Sequence, residues 1–236
     1  MSQQTKIEWT ESTWNPITGC SVVSDGCLNC YAATLAKRLK AMKNPRYVNG
    51  FDVTVHYDLI RKPLEWKKPQ KIFVNSMSDL FHEDVSDEVI IDIFKTMNEA
   101  YWHQFQILTK RAERLTSLSP RLTWTSNIWM GVSIENEKTL YRSDLLRQCG
   151  ARVKFISAEP LLGSISALNL EDIDWLIVGG ESGAGCRPMK ESWAIELRDK
   201  AHETGTAFFF KQWGGFPRSK GGKLLQGLEY HEFPEL

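Results

Sequence analysis

No hydrophobic run in this 236-residue sequence approaches the roughly 20 consecutive apolar residues that a bilayer-spanning helix needs. The first ten residues are polar and lack the apolar core of a secretory signal peptide. The five cysteines are an odd number, which does not suit a secreted disulfide framework. Together these absences predict a cytoplasmic protein with no membrane contact, whose thiols stay reduced and serve a metal or a cluster.

The chain also lacks net charge, low-complexity segments and sequence repeats, and its 29 basic residues balance 29 acidic ones. Its length is sufficient for one large α/β domain with a full hydrophobic core. We therefore expect a single domain over residues 1–236. Within it we expect an N-terminal segment at 1–45, strand–helix repeats over 70–213 and a short extension, closing one end as a hairpin or meander, at 214–236.

The balanced charge is spread unevenly along the chain. Between residues 37 and 71, ten basic residues stand against three acidic ones, so this stretch carries a local charge of +7. The plain interpretation is a solvated surface of helices and loops. The alternative is a surface that binds an anionic partner, such as a nucleotide or a nucleic acid.

Short apolar runs recur in the sequence, and each ends in polar residues. They lie at 71–75, 105–108, 128–132, 153–156, 175–178 and 207–210, with a further short strand expected around 6–10. Runs this short and rich in β-branched and aromatic residues are typical of buried parallel strands. Helical spacing of apolar residues marks the stretches 31–42, 87–100, 137–149 and 192–204. The alternation predicts an α/β fold, a partial (β/α)6-like open TIM-type barrel, with a flat doubly wound sheet as the competing architecture.

Polar side chains follow each predicted strand at its carboxyl end, the edge at which parallel α/β folds build their sites. The candidates for one shared cavity are Ser76, Asp79, Lys110, Ser133, Glu135, Glu159, Glu181 and Lys211. Taken singly, each of these residues is also explained as a cap or turn residue. The four carboxylates among them also suit a hydrolase or metal site that works by acid and base catalysis.

Three cysteines near the N-terminus are the most informative feature of the chain. Cys20, Cys27 and Cys30 have the spacing C-x6-C-x2-C. Three thiolates can hold three irons of a cubane iron–sulfur cluster and leave the fourth iron open. A structural zinc site would need a fourth ligand, for which Cys186 is the best alternative. An oxidised pair of Cys27 and Cys30 would leave Cys20 unexplained.

A three-cysteine loop before a helix, followed by parallel strand–helix units, resembles the radical S-adenosylmethionine superfamily. The usual spacing there is C-x3-C-x2-C with an aromatic residue before the last cysteine, whereas this chain has a first gap of six and its aromatic residue, Tyr31, after the last one. The resemblance implies a [4Fe–4S] cluster on Cys20, Cys27 and Cys30. It also implies bound S-adenosylmethionine, cleaved to a 5′-deoxyadenosyl radical, and an external electron donor.

The resemblance further implies binding roles for the strand ends. The amino group of S-adenosylmethionine needs an acceptor, its carboxylate a cation, its ribose polar partners and its adenine a backbone edge. The acceptor for the amino group would be Ser76, Ser78 or Asp79, and the cation for the carboxylate would be Lys110 or Arg111. The ribose partner would be Ser133, Glu135 or Asn136, and the backbone edge for the adenine would be Gly179 with Gly180. Glu159 and Glu181 belong to the same expected cavity.

Nearly the whole chain is similar to an uncharacterised three-cysteine family that is common in phages and prophages. The matching segments are 6–10, 13–16, 19–32, 74–81, 108–111, 131–135, 157–161, 179–183, 210–214 and 225–230. The family gives no substrate, and the basic stretch suggests a nucleotide or a nucleic acid. The alternatives are a non-catalytic nucleic-acid-binding protein with a structural zinc or iron–sulfur site, and a barrel hydrolase with structural cysteines.

Overall fold

The computed structural model describes residues 3–5, 7–216 and 221–235, with the backbone alone at positions 3 and 4. Its strands are β1 (Gln3–Gln4), β2 (Ser12–Trp14), β3 (Ile17–Thr18), β4 (Thr54–Val55), β5 (Lys71–Val74), β6 (Gln104–Thr109), β7 (Ile128–Ser133), β8 (Val153–Ala158), β9 (Trp175–Gly179) and β10 (Ala207–Gln212). Its α-helices are α1 (Tyr31–Ala41), α2 (Tyr57–Ile60), α3 (Asp87–Glu99), α4 (Ala112–Leu118), α5 (Tyr141–Arg147) and α6 (Glu191–Thr204).

The six apolar runs become six successive strands of one sheet, β5 to β10. Its strand order is β1-β2-β5-β6-β7-β8-β9-β10, and β3 pairs with β4 in a separate two-stranded sheet. Neighbours pair in parallel where β2 meets β5, β5 meets β6, β8 meets β9 and β9 meets β10. Every residue of β7 and β9 is buried, which explains why these runs are apolar throughout and do not alternate. The predicted α/β partial barrel of parallel strands is confirmed.

The seventh parallel strand lies later in the sequence than predicted. The sequence favoured a strand around 6–10, whereas the parallel partner of β5 is β2. Residues 7–10 form the turn between the antiparallel strands β1 and β2, and Lys6 lies outside the described residues. The apolar character of this turn comes from Trp9, which is buried and whose ring packs 4.7 Å from that of Phe73.

The helices begin and end where local signals predict. Ser86 caps α3, its hydroxyl accepting a hydrogen bond from the Val89 N–H at 3.4 Å. Gly205, in the left-handed region at φ 69°, ends α6. The helix predicted over 137–149 is shorter, because Asn136 and Thr139 form a capping box that starts a single 3₁₀ turn before α5.

The chain forms two compact units. The first comprises Met1–Val23, Cys30–Met130 and Cys149–Arg152, and the second comprises Ser24–Asn29, Gly131–Gln148 and Val153–Leu236. In the described part of the C-terminal extension there is no strand; isolated bridges join Leu225 to Leu228 and attach His231 to Phe209 of β10. Over the described ranges, none of the helices combines the length and the hydropathy that crossing a bilayer requires.

Candidate active site

A glycine with a special backbone conformation leads into the three-cysteine loop. Gly19 follows β3 at φ +90°, and a Cβ at this position would lie 2.2 Å from the Asp52 carbonyl oxygen. Its N–H bonds to the Met77 carbonyl at 3.0 Å, and the Cys20 N–H bonds to the Phe51 carbonyl at 3.1 Å. Only glycine fits such a position, so the backbone fixes Cys20 beside the end of β5.

The other two cysteines of the loop are placed by short local structure. Cys27 ends a single 3₁₀ turn over Asp25–Cys27, with its N–H bonded to the Ser24 carbonyl at 2.9 Å. Cys30 immediately precedes α1, and its carbonyl accepts from Thr34. Cys20, Cys27 and Cys30 are partly exposed, and all five cysteines of the chain are free of disulfides.

The loop suits an iron–sulfur cluster by the chemistry of its donors. Three reduced, partly exposed thiols within eleven residues are soft ligands, which favour such clusters or zinc. In the part of the chain that the structure describes, no group of three or more His, Cys, Asp or Glu side chains has the arrangement that holds a metal ion. Assignment of the cysteines as ligands therefore stays a prediction from the sequence.

A buried ion network surrounds Cys20 in the first unit. Asp79, after β5, accepts hydrogen bonds from the Thr109 hydroxyl at 2.7 Å, the Lys110 N–H at 3.0 Å and Arg111 Nη1 at 3.2 Å. Arg111 Nη1 also lies 3.5 Å from Cys20 Sγ. Asp79 and Arg111 are both buried, so the carboxylate neutralises the guanidinium that donates to the sulfur.

The same guanidinium continues to the residues beside Cys20. Arg111 Nε donates to Glu83 Oε2 at 2.7 Å, and Nη2 donates to the Ser21 hydroxyl at 2.8 Å. The hydrogen bond from Arg111 lowers the pKa of Glu83 to about 2. The Ser21 hydroxyl also contacts His82 Nε2 at 2.8 Å. Arg111 thus ties the first residues of the loop to the carboxyl ends of β5 and β6.

The two predicted serines after β5 hold neighbouring chain segments. The Ser76 hydroxyl donates to Asn15 Oδ1 at 3.2 Å, and its carbonyl accepts from the Tyr31 hydroxyl at 2.6 Å. The Ser78 hydroxyl donates to the Ile17 carbonyl at 2.9 Å. These bonds fix the entry to the loop and the start of α1 against the carboxyl end of β5.

In the second unit, Glu135 holds the central part of the loop. Its carboxylate is fully buried and accepts from the Ser24 hydroxyl at 2.7 Å and from Arg142 Nη1 at 3.0 Å. Arg142 also donates to the Ser133 carbonyl at 2.8 Å. A Cβ on Gly26 would lie 2.6 Å from Glu135 Cγ, so the close approach of loop and carboxylate requires glycine.

Glu181, after β9, is a second buried carboxylate that binds the loop. It accepts from Asn29 Nδ2 at 2.9 Å and from Arg187 Nε at 2.9 Å. Burial raises the pKa of Glu181, but the hydrogen bonds from Arg187 and Asn29 outweigh it and lower the pKa to about 2. Arg187 Nη2 also donates to the Asp25 carbonyl at 2.9 Å. Residues 24–29 are thus fastened at the ends of β7 and β9.

The ends of β8 and β9 approach each other closely. Glu159 accepts from Lys211 Nζ at 2.8 Å and from the Ser157 hydroxyl at 3.1 Å. A Cβ on Gly179 would lie 2.6 Å from Glu159 Oε1, and one on Gly180 would lie 2.0 Å from the Trp213 carbonyl oxygen. Packing against backbone therefore requires glycine at position 180, whereas at position 179 the Glu159 side chain would have to move.

Each predicted carboxylate of the second unit has its own cation. Glu135 pairs with Arg142, Glu159 with Lys211 and Glu181 with Arg187.

The sequence did not predict four residues that hold the loop or its carboxylates, namely Arg142, Arg187, Ser24 and Asn29. Asn29 and Ser24 carried a usable signal, because they flank Cys27 inside the loop; the two arginines carried none, since neither belongs to an apolar run or a cysteine spacing.

The chain matches a family described as a protein of unknown function, DUF5131, over residues 4–234. It belongs to that family. No curated protein matches this DUF5131 chain. Among solved structures, it is similar to spore photoproduct lyase complexed with dinucleoside spore photoproduct, at 11% identity and a TM-score of 0.50, covering 86% of this chain and 64% of that one. A mutant of the same lyase matches at 13% identity and a TM-score of 0.49, covering 76% and 58%.

At these identities the similarity is one of fold. The DUF5131 chain spans less than two thirds of the length of the lyase. The shared feature is the α/β partial barrel of parallel strands described above.

Proposed function

We propose that this DUF5131 protein is a radical S-adenosylmethionine-type enzyme in which Cys20, Cys27 and Cys30 hold a [4Fe–4S] cluster. The proposal is carried by the three-thiol loop, which lies at the carboxyl end of β5 and leads directly into α1. Its fold, shared with spore photoproduct lyase, supports the same assignment. With one electron from an external donor, the loaded site would split S-adenosylmethionine into methionine and a 5′-deoxyadenosyl radical that takes a hydrogen atom from the substrate.

The protein's own residues would hold the loop rigid. Arg111 donates to Cys20 Sγ, while Glu135 and Glu181 bind Ser24 and Asn29. Second-sphere hydrogen bonds of this kind fix ligand geometry and tune a cluster's potential. We therefore assign the buried carboxylates chiefly to positioning of the loop.

We propose that contacts with S-adenosylmethionine come from groups at the strand ends, of which Ser76, Ser78 and Lys110 are partly exposed. Ser76 and Ser78 are proposed for the amino group, Lys110 for the carboxylate, and the backbone of Gly179 and Gly180 for the adenine. Ser133 and Glu135 are proposed for the ribose, and Glu159 and Glu181 as further polar groups at the strand ends of the second unit.

We propose a nucleotide or a nucleic acid as the substrate class. The lyase of similar fold is complexed with a dinucleoside, which supports the idea only through the fold. The stretch from 37 to 71 adds a positively charged surface on this chain. Glu181 is a poor general acid for the hydrolase alternative, because the hydrogen bonds from Arg187 and Asn29 lower its pKa to about 2 and acid–base catalysis needs a pKa near the working pH.

The test is anaerobic reconstitution with iron and sulfide, followed by reduction with dithionite in the presence of S-adenosylmethionine. We expect about four irons per chain, as a cubane cluster contains, and release of 5′-deoxyadenosine. The Cys27→Ala variant should lose both the cluster iron and the release of 5′-deoxyadenosine. The matched control is Cys149→Ala, which removes a buried thiol outside the loop and should retain both.

A further variant separates an open iron from a closed site. Cys186→Ala should keep its iron and its cleavage activity if three cysteines are the whole ligand set. Loss of iron in Cys186→Ala, or a colourless protein with one zinc per chain, would contradict the enzymatic proposal and favour a structural site.

A further inference from the structure

The stretch that follows the loop carries positive charge without any acidic residue. From Cys30 to Phe51 there is no Asp or Glu, while Lys37, Arg38, Lys40, Lys43 and Arg46 fall within these 22 residues. Most surface segments of globular proteins mix both signs of charge. Because all its charged residues are basic, this stretch differs from an ordinary surface segment.

Helix α1 divides this stretch into a buried face and an exposed face. Ala32 and Ala36 pack with Tyr47 and Met77 in a small core of the first unit. The rest of the helix surface presents Lys37, Arg38 and Lys40, all exposed. The same stretch carries three exposed apolar side chains, Tyr31, Leu35 and Met42, at 46%, 39% and 67% of their full accessibility. We call Tyr31, Leu35, Lys37, Arg38, Lys40, Met42 and Lys43 the basic face.

The cations of the basic face have no carboxylate partners among the described residues, in contrast to three other cations of the first unit. Arg46 pairs with Asp58, Arg61 with Glu99 and Lys95 with Asp92. No ion pair involves Lys37, Arg38, Lys40 or Lys43 anywhere in the described ranges. Four unneutralised charges within seven residues create a positive potential that attracts anions.

The basic face begins at the predicted site. The Tyr31 hydroxyl donates to the Ser76 carbonyl at 2.6 Å, which joins the first turn of α1 to the carboxyl end of β5. This bond leaves the Tyr31 ring partly exposed beside Cys30. A polyanion lying along α1 would thus reach the loop with the ring as its first contact.

We propose that the basic face binds the backbone of a single-stranded nucleic acid and that the Tyr31 ring stacks on a base at its end. The proposal deepens the proposed function in its substrate class and does not depend on the cluster. Flexible lysines contact phosphates without fixed geometry, whereas they are depleted at protein–protein interfaces. Exposed aromatic rings among cations are the usual platform for unpaired bases. These two features favour a nucleic acid over an acidic protein.

The test is fluorescence anisotropy of a labelled oligothymidylate with the full-length, cluster-free protein over a range of salt concentrations. Lys37→Gln combined with Lys40→Gln should weaken binding about tenfold at moderate salt. The slope of log affinity against log salt should fall by about 1.4, because each lost phosphate contact removes about 0.7. The matched control is Lys67→Gln with Lys68→Gln, two exposed lysines at the amino end of β5, which should change affinity less than twofold.

A second set of variants tests the role of the Tyr31 ring. Tyr31→Phe removes the hydroxyl that bonds Ser76 but keeps the ring, and it should retain affinity. Tyr31→Leu removes the ring and should lose about fivefold or more, as expected for one stacked base. Cys27→Ala should bind the oligonucleotide as the wild type does, which separates this inference from the cluster chemistry.

Three results would overturn the inference. Equal weakening by both lysine pairs would indicate a general charge effect. Absence of oligonucleotide binding by the wild type at low salt would exclude the surface. Tighter binding of polyglutamate or of anionic lipid vesicles than of the oligonucleotide, lost in the Lys37 and Lys40 variant, would assign the basic face to an acidic protein or a membrane surface.

Discussion

Glu181 illustrates how single residues hold this site. Its side chain is buried, yet it stays ionised because Arg187 and Asn29 donate hydrogen bonds to it. Burial raises its pKa and these donors lower it, with the net result that the pKa falls from 4.5 to about 2. A carboxylate with a lowered pKa stabilises the fold at pH above its unfolded pKa. The stabilisation is lost as the pH falls through the folded pKa.

We therefore expect the free energy of unfolding to drop between pH 4.5 and about pH 2 by up to about 3 kcal/mol through Glu181 alone. Glu181→Gln should lower stability at pH 6 and flatten this part of the pH profile. Urea unfolding at pH 6 and at pH 3 measures both. Because other carboxylates also titrate here, the relevant quantity is the difference between wild type and variant. A difference that does not change with pH would contradict the assigned ion pair.

At the scale of elements, the carboxyl ends of β9 and β10 approach each other closely in the second unit. Gly180 N–H bonds to the Gln212 carbonyl at 2.9 Å, and the Gly180 carbonyl accepts from Gln212 Nε2 at 3.2 Å. The strand end has no room for a side chain, since the Trp213 carbonyl stands at the Cβ position. Glycine at position 180, directly after β9, is thus explained by packing against backbone.

Gly180→Ala should destabilise the protein by about 2 kcal/mol or more, because the added methyl group displaces backbone that cannot rotate away. Chemical denaturation of the apoprotein measures the change. Gly163→Ala is the matched control, since its Cβ would meet only Asn136 Cβ at an ordinary 3.6 Å. Similar losses in the free energy of unfolding for the two variants would show that the backbone around position 180 accommodates the methyl group with little destabilisation.

For the whole molecule, the proposed function predicts linkage between ligand binding and stability. S-adenosylmethionine that binds the folded, cluster-loaded protein at 100 times its dissociation constant adds about 2.7 kcal/mol of stability. For a chain of this size that corresponds to a rise in Tm of about 5–10 °C. Anaerobic thermal unfolding of the reconstituted protein measures it. Cys27→Ala should show no such rise, and an equal rise in that variant would mean that the cluster takes no part in binding.

Individual residues show how far prediction from the sequence reached. The strands were predictable because each is a short, mostly apolar run, and β7 and β9 are buried throughout. Their carboxyl-terminal polar residues were predictable as a set, because parallel strands end at one edge. Their partners were not: Ser24 and Glu135 are 111 residues apart, and Asn29 and Glu181 are 152 apart. The strand predicted around 6–10 was misplaced because Trp9 is buried in a turn and gives an apolar signal there.

The sequence by itself determined the fold class, the three-thiol loop and the polar strand ends, since these follow from hydrophobic periodicity and from spacing along the chain. Only the tertiary structure decided which cation neutralises each buried carboxylate, which glycines are required by close packing, and which lysines near α1 lack a partner. Such pairings depend on distances across space between segments far apart in the chain. Local sequence carries no record of those distances, because the free energy of an ion pair or a steric contact depends on the folded position of both groups.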